Sequence, residues 1–126
     1  MTTKQQILKV LNYSEKTRDS LVWDLFVSWC DEQAYSANHL QLLLTNNNLY
    51  NWFMNEYEKR EKQFLYVAKP YIGKVPSSTL IKLYDDRTTA IEIYPKAILK
   101  EVIKEAKLNA VKPIHNQPSK LAYNLN

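Results

Sequence analysis

The side chains in this sequence that could do chemistry are few, and their spacing suits packing better than catalysis. Carboxylates fall into three groups, Asp31-Glu32, Glu56/Glu58/Glu61 and Asp85-Asp86. General acid and base work needs two titratable groups whose surroundings push their pKa values apart. Acidic clusters on helix surfaces read instead as solvated faces, and Asp85-Asp86 falls at a predicted turn, where Asp bonds to local backbone. His39 and His115 are too far apart in sequence to make a helical metal pair. Cys30, the one cysteine, follows Leu21 through an apolar stretch and reads as a small core residue rather than a nucleophile. With one Gly in 126 residues, there is no material for a phosphate-cradling loop or a nucleophile elbow. The expectation is a non-catalytic chain with no cofactor, no metal and no small-molecule substrate.

Basic and aromatic side chains offer more. The formal charge is +4, yet residues 1–95 hold 11 basic and 11 acidic side chains, while 96–126 hold six lysines against two glutamates. Lys96, Lys100, Lys104 and Lys107 recur at intervals of four, four and three, which stacks them on one helical face leading toward Lys112. Such a ridge is either a solvated flank, with Glu101 and Glu105 beside it, or a contact surface for phosphates or an acidic protein. A second candidate is Lys59-Arg60-Glu61-Lys62 running into Phe64, Tyr66, Lys69 and Tyr71, where only Tyr66 and Tyr71 are spare as surface platforms. Three Trp, three Phe and nine Tyr are a heavy aromatic load, and Trp and Tyr are enriched in protein–protein hot spots. Trp23 and Trp29 are six residues apart, which leaves them roughly 120° apart around a helix. One of them faces the core, and the other must be covered by another element or another chain.

These residues need helices to position them. Thr3 and Gln6 have capping-box spacing and predict a first helix over about 3–12. Ser14 caps a second to about Ala34, so apolar from Leu21 to Cys30 that it should be covered nearly all round. Ser36 caps a third, and Asn46-Asn47-Asn48 closes it and opens a fourth over about 48–68, whose apolar row is Leu49, Phe53, Tyr57, Phe64 and Val67/Ala68. Pro70 stops that helix, and Gly73 lies in an ordered loop ending at Pro76. Leu80 to Tyr84 and Ala90 to Tyr94 read best as a short β-hairpin over about 79–94, with a helix capped by Ser77 or Ser78 as the competing assignment. Pro95 opens a last helix to about Leu108.

The expected fold is therefore mainly α: a small bundle of about five helices with that hairpin before the last helix, forming one domain over 1–108, followed by an irregular basic tail over 109–126. No segment has the apolar length of a membrane span or a secretory leader, so a cytoplasmic location is expected. Lys, Asn, Tyr and Ile supply 42 residues and Arg only three, a bias of AT-rich coding that suits a bacterium, phage or mobile element. The expected function is a protein-interaction module that self-associates through Trp23 or Trp29. Its alternative is a nucleic-acid-binding accessory protein using the lysine ridge.

Overall fold

The first four helices of this chain start where a short polar side chain can take up open backbone N–H groups, as the computed structural model, which describes residues 1–92, 96, 98, 100 and 102–104, shows, whereas the helix that follows Pro76 has no side-chain cap. The elements are α1 (Thr3–Leu11), α2 (Glu15–Gln33), α3 (Ala37–Thr45), α4 (Asn47–Ala68), a 3-10 turn (Lys69–Tyr71) and α5 (Ser77–Thr88). Residues 96, 98, 100 and 102–104 are also helical, and no strand occurs among the described residues. The chain is mainly helical, as its patterning implies.

Ser14 Oγ accepts from the Thr17 N–H at 3.0 Å, Ser36 Oγ from His39 at 3.0 Å, and Asn46 Oδ1 from Leu49 at 2.9 Å, so α2, α3 and α4 are capped where expected. The box on α1 sits one residue earlier than Thr3. Thr2 Oγ1 accepts from the Gln5 N–H, and Gln5 Oε1 accepts from the Thr2 N–H at 2.8 Å. Thr2 and Gln5 have the same spacing as Thr3 and Gln6, so pattern alone could not choose between them. Asn12 closes α1 in the left-handed region at φ 57°, a conformation Asn tolerates better than most side chains. Gly73, at φ 82°, follows Ile72 at φ −61° and ψ 125°, and the Lys74 N–H donates to the Tyr71 carbonyl at 2.9 Å. That is a type II turn, whose third position needs a positive φ.

Two sequence expectations are corrected here. The hairpin over 79–94 is not formed by the described residues: Ser77–Thr88 is helix, and residues 90–92 form no strand. Leu80, Tyr84 and Thr88 recur every four residues and are all buried, which satisfies the helical period. A tight hairpin would also have needed residues comfortable at positive φ in its turn, and Asp85 to Thr89 offers no glycine. Tyr94 and Ile93, in the expected second strand, lie outside the described residues, as does the expected tail over 109–126. The second correction concerns α2, which is buried on one stripe only, Arg18, Val22, Phe26 and Trp29/Cys30, while Leu21 and Trp23 are exposed.

The chain sorts into two compact units, with α2 and α4 contributing to both. In the first, Met1–Leu25 and Phe53–Glu92, the buried side chains include Ile7, Leu11, Val22, Phe53, Phe64, Leu80, Tyr84 and Ile91. Tyr13, Tyr57 and Phe64 each meet the Tyr84 ring edge-on, with centroids 6.3, 6.4 and 5.3 Å away. In the second unit, Phe26–Trp52 with the described residues from 96 onward, Phe26 packs edge-on to Tyr50, and Trp29 lies against Trp52 at 5.5 Å. Leu43, Leu49 and Val102 are buried in that unit.

Candidate functional site

The core stripes of α2 and α4 each carry a charge. Arg18 precedes Val22 by four residues, and Glu61 lies between Tyr57 and Phe64 on the α4 core row, so both must turn inward. They are 3% and 0% exposed. Arg18 Nε donates to Glu61 Oε2 at 3.0 Å and Nη2 to Oε1 at 2.6 Å, a bidentate pair. Tyr84 donates its hydroxyl proton to Glu61 Oε2 at 2.8 Å, which leaves Tyr57 as donor to the Tyr84 oxygen at 2.7 Å. The guanidinium also lies 5.7 Å from the Tyr57 ring centroid. From Arg18 Nη1 the network continues to Asp19 at 3.1 Å, then through Lys4 to Glu15 at 2.8 Å at the surface.

The electrostatics follow from burial and pairing. Burial pulls the Arg18 pKa down, but the hydrogen bonds and charge of Glu61 outweigh it and hold the guanidinium above its ordinary value. Burial, then the neighbouring Tyr57 and Glu61, push the Tyr84 phenol well up. Burial likewise raises Tyr57. With Arg18, Glu61, Tyr57 and Tyr84 all buried, the inner part of this network acts as a pin between α2, α4 and α5. Sequence reasoning missed it by placing Glu61 with Glu56 and Glu58 on a solvated face; its position on the core row was the available signal.

The surface of the same unit is where a partner can reach. Met1, Val10, Leu65, Tyr66 and Ile72 line a groove of about 400 Å³ between α1 and the end of α4, with Lys9 and Lys69 at its rims. Tyr66 is 83% exposed. Tyr71, the other expected platform, is exposed on the 3-10 turn but does not line this groove. Sequence reading singled out Tyr66 and Lys69 but not the apolar residues of α1 opposite, because Val10 looked like part of the core face. A second, polar groove of about 640 Å³ runs between α4 and α5 past Glu56, Arg60, Asp86 and Arg87. Its Arg60 is already held, donating to the Ala90 carbonyl at 3.0 Å and to Glu56 Oε1 at 3.1 Å.

The remaining expected site residues fall as follows. Trp29 is 4% exposed, packed on Trp52, whereas Trp23 is 46% exposed on α2. Lys96, Lys100 and Lys104 are helical and exposed; Lys107 and Lys112 lie outside the described residues. Cys30 is buried, which pushes its thiol up to about 12. Among the described residues no group of three His, Cys, Asp or Glu could hold a metal ion, and no helix is long and apolar enough to cross a membrane.

His39 is the other buried titratable group. Its Nδ1 accepts from the Tyr35 N–H at 3.3 Å, its ring stacks on Tyr35 at 4.0 Å, and its Nε2 is buried with no hydrogen-bond partner among the described residues. Burial lowers its pKa, so the folded chain holds it neutral.

Two outcomes are expected. Glu61→Gln, which strands a buried guanidinium charge, should cost about 3–5 kcal/mol in chemical denaturation. The double variant Arg18→Met/Glu61→Leu should cost less than Glu61→Gln alone, since it strands only a tyrosine hydroxyl at about 1–3 kcal/mol; a double variant worse than the single would count against the pin. For His39, the unfolded chain takes up a proton below pH ~6.5 that the folded chain resists. Stability should be flat in pH above that value and fall as pH drops through it, and His39→Asn should flatten the decline in urea titrations between pH ~7.5 and ~5.5. No family model, no curated protein and no solved structure matches this chain.

Proposed function

We propose that this chain is a non-catalytic protein-interaction module, binding a partner protein through the Tyr66 groove and a second copy of itself through the α2 face bearing Trp23. The observation that carries the reading is Tyr66, 83% exposed on an apolar groove. A large aromatic with a polar tip contributes contact area and a hydrogen bond together, which is why Tyr and Trp dominate interface hot spots. Trp23 offers the same chemistry on α2. The Lys, Asn, Tyr and Ile bias suits a module from a bacterium, phage or mobile element.

Sedimentation equilibrium at tens of micromolar tests the self-pairing. Wild type should weigh more than a monomer, and Trp23→Ala should return it to monomer. Trp29→Ala should instead lose about 3–5 kcal/mol of stability, as a core truncation does. A monomeric wild type would sink the Trp23 contact.

Exposed Lys96, Lys100 and Lys104 at intervals of four favour a second reading, an accessory protein on nucleic acid. In that case a low-salt gel shift should weaken when Lys100, Lys104 and Lys107 are changed to Ala, and the salt slope should fall by about 1 for each lysine that meets a phosphate. Unchanged affinity would remove this reading.

A further inference from the structure

The rims of the Tyr66 groove say what kind of partner segment it takes. Lys9 on α1 and Lys69 beyond α4 flank the apolar floor, and among the described residues neither has a carboxylate within ion-pair distance. No carboxylate lines the groove among the described residues either. Gln6 also lines the groove, but its lining is otherwise apolar apart from the two positive lysines and the Tyr66 hydroxyl, and the volume of about 400 Å³ lies at the lower end of the ~300–1,000 Å³ that holds a bound ligand.

Resting on the interaction reading above, we propose that the groove binds a short acidic amphipathic helix of a partner protein, one that buries apolar anchors on Val10, Leu65 and Ile72 and sets carboxylates against Lys9 and Lys69. Helix-in-groove recognition reads apolar residues at i and i+4, and the flanking charges select the partner and its direction. Tyr66, at the lip, can cover an anchor with its ring while its hydroxyl donates to a carboxylate. A sugar-phosphate backbone would match the lysines but leave the apolar floor wet. A lipid surface would match both, yet it cannot follow a concavity as a side chain can.

Fluorescence anisotropy on the full chain tests this with three synthetic helix-forming peptides: leucines at i and i+4 flanked by Glu, the same leucines flanked by Lys, and the Glu peptide with Ala for Leu. The acidic leucine peptide should bind about tenfold more tightly than the basic one, the effect of two exposed ion pairs. The preference should shrink at high salt and invert in Lys9→Glu/Lys69→Glu. The alanine peptide should not bind, and Tyr66→Ala should weaken both leucine peptides. Equal binding of the two leucine peptides, still lost in Tyr66→Ala, would overturn the acidic partner and leave the groove reading standing. No binding of either would overturn both. Tighter binding to anionic vesicles or to single-stranded DNA than to the acidic peptide, lost in Tyr66→Ala, would replace the partner class.

Discussion

A charge pair in the middle of the first unit sets the terms on which the rest of it packs. Arg18 and Glu61 are too well enclosed for water to solvate either, so each is tolerable only while the other is in place. Two short charge-assisted bonds fix how α2 meets α4, and the tyrosine hydroxyls fix α5 against α4. A pair of this kind adds little net stability compared with apolar residues of the same shape. What it adds is intolerance of misregister, because sliding either helix by one residue would leave a full charge stranded. Tyr84 carries the same logic into the apolar part of the core, with its hydroxyl in the polar network and its ring meeting three others edge-on.

That arrangement explains how the unit can hold a groove open at its surface. α1 packs on α5, so its outward residues need not close over the end of α4. Val10 and Leu65 remain half-buried, and Tyr66 stands almost fully in solvent. The internal order is secured elsewhere, by the pin and the aromatic hub, leaving this edge available for a partner.

Much of the helical order was legible because it depends on local chemistry. Ser14, Ser36 and Asn46 announce α2, α3 and α4 through backbone donors only three residues away. Trp23 and Trp29 could be placed on different sides of α2 from their spacing, but choosing the inner one required knowing that Val22 and Phe26 face inward. Two features resisted for a shared reason: they are decided by residues distant in sequence. The stretch from Leu80 to Tyr84 has strand-like composition, and its helical state is secured by Tyr84 reaching Glu61, 23 residues earlier. Glu61 itself looks like any surface acid until Arg18, 43 residues away, is set beside it. A charge falling on the apolar period of one helix, with an opposite charge on the period of another, is the sequence sign of such a pair.

Gly73 has a bearing on the unfolded chain as well as on the turn it makes. Glycine carries more backbone freedom than any other residue, and each one held in a folded element forfeits that freedom. Here one residue alone supplies the positive φ of the turn before α5, while Asn12 meets the similar demand at the end of α1 with a side chain attached. The denatured ensemble is correspondingly stiffer than that of a glycine-rich chain of equal length. Less entropy has to be surrendered on folding, and a small protein with a buried charge pair and an open apolar edge benefits from that saving.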